Sequence, residues 1–358
     1  MLPTPGRTQR RDNLRLSDLQ GKISRLKVSV LPDFFLDRII SVPSLSRLFK
    51  QAESKAAAGG GSLRGYTQKE TRGGNAANLA FGLASLSVRT ILFCVGDELA
   101  RAAITDNAPS NLQVRLIPGS PGLTAALEFP FGARMVNVMI SDAGDIADFD
   151  GRKLKREDVS SLERSDCVAL VHWSANKKGN LLARKVFASN RRKDRLTFLD
   201  PADLDGAGDR IKPLKKIIDD GLIDVISVNE NETRILARFF STRKLPYHYK
   251  PMDVLRASAS LHDTLQATVD IHTPICSASA SSDGHACAQT QRLIGGVVTG
   301  AGDIWDAGDI LGHLMHTNID DRLNLANASA HTYVASGGAR LPKLTEIQRI
   351  LARSPEKP

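Results

Sequence analysis

The chain has 358 residues, 42% of them hydrophobic and only 5% aromatic, enough for one large α/β core with a small appendage. No apolar stretch approaches the roughly 20 residues a bilayer span needs. The polar opening MLPTPGRTQRRDNLRLSDLQGK holds no apolar run of the kind a signal peptide needs, so the sequence predicts a soluble, cytoplasmic protein with no membrane partner. The net charge of +9 comes from basic residues in short scattered groups without interleaved aromatics, which argues against nucleic acid as a partner and for anionic metabolites.

Residues 1–25 are dominated by proline, glycine and charge and read as a flexible basic lead-in. The folded unit is expected over 26–345. SRLKVSVLP opens it as a strand, NAANLAFGLASLS has helical character, and RTILFCVGD is a second strand. DCVALVHW, RLTFLD and IDVISV are three more short apolar runs, with KGNLLARKVFASNRR and ETRILARFFSTRK as helices among them. This alternation predicts a Rossmann-like α/β fold, a mostly parallel sheet flanked by helices on both faces. Two regions break the rhythm. Residues 38–70, with the flexible AAAGGGSLRG, and 112–140, where LQVRLIP, LTAALEFP and ARMVNVMI alternate as antiparallel strands would, predict a small β lid. Residues 346–358 read as a C-terminal tail. Cys94, Cys167, Cys276 and Cys287 are dispersed, with no CxxC pair and no histidine cluster at metal-ligand spacing, so they are expected to be buried or free thiols.

Two glycine-rich turns carry the chemistry. In TGAGDIWDAGDILGHLMH, Thr299 to Asp303 precede an apolar helix, so Gly300, Ala301 and Gly302 would turn free backbone amides toward an anion. Asp303 on the same turn could accept a proton from a hydroxyl, or could be no more than an N-cap. A second GAGD, at 206–209, follows DPADLD with no strand leading directly into it and reads as a decoy. In GGNAANLAFGLASLS, Gly73 and Gly74 open another helix, and Asn78 on its first turn offers a donor and an acceptor to sugar hydroxyls.

GGNAAN and TGAGD, in that order and about 220 residues apart, resemble the two signature regions of the ribokinase-like, or PfkB, carbohydrate kinases. Asp37 in VLPDFFLDRII stands where that family carries an aspartate that binds acceptor hydroxyls, LDPADLD matches its Asp-Pro loop, and SVNENETRIL carries its Asn-x-x-Glu at Asn229 and Glu232. The resemblance covers about residues 26–340 and implies a kinase that transfers a phosphoryl group from a nucleotide to a hydroxyl of a sugar or sugar phosphate. It makes Asp303 the general base and Gly300, Ala301 and Gly302 the anion hole. Asp37, Gly73, Gly74 and Asn78 would hold the acceptor, while Asn229, Glu232 and Thr299 would organise the nucleotide, with Glu232 reaching Mg²⁺ through water. A homodimer through the lid is among the assemblies it allows. A nucleoside kinase of the same fold and a non-catalytic sugar or nucleotide sensor are the alternatives.

Two departures bear on cofactors. Val297 and Val298 precede Thr299 where the family usually has Asp-Thr, which puts activation by potassium in doubt. VDIHTPICSASASSDG lacks the usual Thr-x-Gly-x-x-Gly turn, so ATP is the default donor and ADP the alternative. For the acceptor, HWSANKKGN follows a strand that should end at the cleft, which makes Trp173, Asn176, Lys177 and Lys178 candidates. Arg134 on the lid and Arg72 beside the Gly-Gly turn could hold a phosphate already on the sugar. The low aromatic content favours a sugar over a nucleoside.

Overall fold

The computed structural model describes residues 16–106, 108–132, 134–192, 194–291 and 299–353. A short helix, α1 (Leu16–Ile23), leads into β1 (Lys27–Leu31), β2 (Phe35–Ser41), α2 (Leu45–Ala57) and β3 (Gln68–Gly73). Next come α3 (Asn75–Ser85), β4 (Arg89–Gly96), α4 (Glu98–Thr105) and β5 (Leu112–Pro118), then the hairpin of β6 (Gly122–Phe131) and β7 (Arg134–Asp142). The second half runs α5 (Arg156–Glu163), β8 (Cys167–Val171), α6 (Gly179–Ser189), β9 (Leu196–Asp200), α7 (Gly208–Asp219), β10 (Val225–Asn229) and α8 (Glu230–Phe239). α9 (Pro251–Leu265) precedes β11 (Thr268–His272), β12 (Cys276–Ser281) and β13 (Gly284–Gln289), and α10 (Ala301–Leu314), α11 (Ile319–Ala335) and α12 (Leu344–Arg353) follow.

The strands form a nine-stranded sheet in the order β13-β12-β11-β10-β9-β8-β1-β4-β5 and a four-stranded sheet in the order β3-β2-β6-β7. From β5 to β11 the large sheet is parallel, and β12 and β13 close one edge antiparallel. Because both faces are covered, its central strands are mostly apolar and buried: β8 is buried at all five positions, and β1 at all but the first. Two large apolar clusters result, one on each face. The strand order reverses at β1, which lies between β8 and β4, and that reversal opens a crevice at the carboxyl ends of the strands.

Small residues set one distance that matters for the site. α3 packs on α10 so closely that a Cβ at Gly82 would lie 2.8 Å from the Ile304 side chain and 3.0 Å from that of Ala307. The Ala- and Gly-rich face of α3 therefore brings the first turns of both helices together.

Several boundaries differ from the sequence expectation. The lead-in is helical from residue 16, because Ile23 is fully buried in the core, and the tail holds α12, whose Ile347 is fully buried. LQVRLIP is β5, an edge strand of the large sheet paired parallel with β4, and not part of the lid. Leu112, Val114 and Leu116 on one face of it pack on the core, and Arg115 on the other pairs with Asp158 of α5. The lid is β2, β3, β6 and β7, and β2 pairs with β6 in parallel while the other two pairings are antiparallel.

Candidate active site

A cavity of about 1310 Å³ lies at the carboxyl ends of the central strands, beneath the lid. Asp37, Gly74, Asn78, Asn229, Glu232, Thr299, Gly300, Gly302 and Asp303, all singled out in the sequence, line it.

Asp303 sits on the first turn of α10 and is buried. Its two carboxylate oxygens accept hydrogen bonds from the side-chain amides of Asn75 and Asn78, each at 2.9 Å. These asparagines stand three apart on the first turn of α3, so one helix face orients the whole carboxylate. Burial, and then the charge of Asp200, push the Asp303 carboxyl well above the usual carboxylate range, and the two amide bonds only partly oppose this. A carboxylate so placed is a stronger base than one in water.

Gly300 is the N-cap of α10 in a left-handed conformation, φ 86°. A Cβ there would come within 3.1 Å of the Asn78 amide and 3.3 Å of the Tyr333 hydroxyl. The first intrahelical bond runs from the Ile304 amide to the Gly300 carbonyl, so the amides of Ala301, Gly302 and Asp303 have no intrahelical acceptor. Thr299 is tied from two sides: its carbonyl accepts from Tyr333 at 3.1 Å and its hydroxyl from Asn137 of β7 at 3.2 Å.

Asp37 faces the cavity from β2, next to Thr124 of β6. Burial raises its pKa and a bond from the Thr124 side chain counteracts this. Gly73 is required here, since a Cβ would collide with the Asp37 carboxylate. Gly74, at φ 97°, lets the chain pass within 3.0 Å of the Phe34 backbone, measured from where a Cβ would be.

At the far wall, Asn229 caps α8 and forms a reciprocal box with Glu232, whose oxygens accept from the Asn229 amide at 2.8 Å and from its side chain at 2.6 Å. Glu232 is buried, and burial together with the Asp200 charge raises its pKa well above the usual range. Asp200 is itself pushed up to about 6, mainly by burial.

Other sequence candidates do not reach the cavity. Asn176 is fully buried and committed to the Phe149 carbonyl and the Lys178 amide, at 2.6 and 2.8 Å. Lys178 lies 3.6 Å from Asp148, and Trp173 is a core residue. Arg72 stacks on Phe81, with its guanidinium carbon 3.6 Å from the ring centre. The side chain of Arg134, and Val297 and Val298, lie outside the described residues. The first GAGD opens α7, but its Asp209 is exposed on the surface. The sequence reading missed Asn75 and His172, which line the cavity, and Asp33, which holds His172. Asn75 had a signal, its i, i+3 spacing with Asn78.

A search of curated proteins finds no match to the chain. Among solved structures it is similar to ribokinase from Thermotoga maritima, with TM-score 0.70 and 15% identity over 92% of this chain and 99% of that one. Adenosine kinase from Sinorhizobium meliloti gives TM-score 0.68 and 16% identity, again over 92% and 99%. Ribokinase from Arabidopsis thaliana, solved with ribose and ATP, gives 0.66 and 17% at the same coverage. At these identities the likeness is one of fold. The family model described as pfkB family carbohydrate kinase matches residues 38–346, and the chain therefore belongs to that family.

Proposed function

We propose that this protein transfers a phosphoryl group from a nucleotide to a hydroxyl of a sugar or sugar phosphate, with Asp303 as the general base. The observation that carries this reading is the convergence on one helix turn of a buried, doubly oriented carboxylate and three amides free of intrahelical partners. The acceptor hydroxyl gives its proton to Asp303 as its oxygen bonds to the phosphorus. The bond to the nucleotide breaks, and its electron pair leaves with the nucleotide. The Ala301, Gly302 and Asp303 amides stabilise charge on the transferred group.

Asp37 and Asn78 bind the acceptor beneath the lid, with Gly73 and Gly74 admitting it, while Asn229, Glu232 and Thr299 face the donor. The cavity's carboxyls fit a hydrated divalent cation. Burial and the Asp200 charge raise the Glu232 pKa, burial raises that of Asp200, and the ligand atoms there are hard oxygens. Mg²⁺ bound there supplies neutralisation of the donor phosphates, and Glu232 would reach it through water. ATP is the default donor, and the cytoplasm the setting for such a reaction.

A nucleoside acceptor is the second reading, favoured by the rings of Phe35 and His172, which both line the cavity. The deciding experiment is a donor-by-acceptor screen, ATP and ADP against sugars, sugar phosphates and nucleosides, in wild type and Asp303→Asn. Phosphorylation that depends on Asp303 supports the reading, and phosphorylation unaffected by the substitution overturns it.

A further inference from the structure

One side chain on the cavity wall has no part in the reaction just described. His172 follows β8 at the strand-order reversal and holds a left-handed backbone, φ 54° and ψ 38°, which a non-glycine residue adopts at a cost. Its Nδ1 lies 2.9 Å from Asp33, a fully buried carboxylate. Asp33 also accepts the backbone amides of Asn75 and Ala76, at 3.0 and 2.8 Å, and so ties the histidine to the helix turn that orients Asp303. The ring rests on Phe35, with centroids 5.5 Å apart, and its side chain keeps 22% of its surface exposed where it borders the cavity. With Nδ1 committed to Asp33, the polar atom left for a ligand is Nε2.

The cavity's charges indicate what kind of ligand. Asp37, Asp200, Asp203 and Asp303 line it along with His172. Among the described residues, the arginines and lysine lining it, Arg234, Arg238 and Lys244, all come from α8 and the segment after it, the elements that also carry Asn229 and Glu232. Among the described residues, a phosphate or carboxylate on the acceptor would meet carboxylates and no guanidinium or ammonium group on the Asp37 and Asp303 side.

We propose that His172 is an acceptor-specificity residue, its Nε2 hydrogen-bonding a hydroxyl of an uncharged sugar or nucleoside held between Asp37 and Asp303. This deepens the kinase reading and rests on it. Burial alone would lower the His172 pKa, but the Asp33 bond and the charges of Asp33, Asp200 and Asp203 outweigh it and hold the imidazole above its ordinary value. The ring therefore donates from Nε2 below that raised pKa and loses that proton as pH rises through it.

His172→Asn is the informative substitution. An asparagine amide overlays Nδ1, so it can keep the Asp33 bond, and asparagine tolerates the left-handed backbone, but nothing replaces Nε2. The expected result is at least a tenfold rise, roughly the worth of one hydrogen bond to a charged donor, in KM for a neutral acceptor. kcat and donor KM should stay within about twofold, and the rise of acceptor KM at alkaline pH expected of wild type should be absent in His172→Asn. His172→Gln, which overlays Nε2 and gives up Asp33, should recover part of the acceptor affinity while lowering the melting temperature. An unchanged acceptor KM in His172→Asn, or a wild-type enzyme that prefers phosphate esters to the corresponding neutral sugars and nucleosides, overturns the proposal while leaving the kinase intact. If no acceptor is phosphorylated, the kinase reading is what has failed. Calorimetric titration with the same neutral sugars and nucleosides then decides on His172 alone: binding weakened by His172→Asn sustains its role, and equal or absent binding removes it.

Discussion

At the residue scale, the proposed chemistry depends on how Asp303 is held. Its pKa is raised, so it must lose its proton before it can act, and the rate falls as pH drops through that raised value. The acidic limb of kcat is therefore expected above the ordinary carboxylate range, about pH 4. Asp303→Asn should fold, because the Asn75 or Asn78 amide can turn over to match the new side chain. It should lose about 10² to 10⁴ in kcat, along with that acidic limb. Asp209→Asn, at the exposed copy of GAGD, is the control and should be silent. Equal kcat for wild type and Asp303→Asn at saturating substrates would reduce Asp303 to a cap. Asp37→Ala tests the other end of the acceptor. Loss of charge-assisted bonds worth about 1.5 to 3 kcal/mol each should raise acceptor KM by tenfold or more with donor KM unchanged, measured by initial rates.

At the element scale, α10 connects the site to the core. Its first turn carries Asp303, and its later turns carry Asp306, Asp309 and His313, of which both aspartates are fully buried. Asp309 and Asp270 of β11 are bridged by Arg322 of α11, which also donates to Ser279 of β12 at 2.7 Å, while His313 lies 3.2 Å from Asp270. Burial acts to raise the Asp270 pKa, but the Arg322 guanidinium overrides it and drives the carboxyl below the usual range. One guanidinium thus fastens α10 and α11 to the antiparallel edge of the sheet. Replacing it leaves buried carboxylates uncompensated, so Arg322→Met should destabilise the protein by about 3 to 5 kcal/mol in urea unfolding. A loss below about 1 kcal/mol would show that the site relaxes around the vacancy.

At the scale of the whole molecule, the lid has two unlike faces. Thr124, Met139 and Ser141 line the cavity from one, and Leu123, Phe131, Val138 and Ile140, each at least half exposed, share the other. β7 is an open edge of that sheet. An apolar sheet face beside an unpaired edge favours association, and two copies of this chain meeting through their lids would cover it. Sedimentation should show a dimer at micromolar concentration, and Ile140→Lys should shift it toward monomer. A wild-type monomer under those conditions would remove the lid from the assembly.

How much of this was legible in the sequence varied with the range of the interaction. The central strands were readable because strands buried on both faces are mostly apolar, and VSVL, CVALV and VISV hold no more than one serine each. The placing of Asp303 and its glycine turn at the start of α10, and of the Asn229–Glu232 box at the start of α8, was readable because each is a local arrangement coded within a few residues. β5 was misplaced in the lid because an edge strand of a covered sheet alternates just as a lid strand does, and only pairing with β4 tells them apart. Asn176 looked like a site residue from its place after β8, yet the chain turns it into the core. The Asp33–His172 pair, 139 residues apart, and the Arg322 bridge to Asp270, 52 apart, leave no local pattern. The sequence by itself determined the order of strands and helices and the glycine turns, because these follow from local periodicity and backbone freedom. Only the tertiary structure decided which side chains face one another across the crevice, because that depends on the crossing of strands at β1 and on the close approach of α3 to α10.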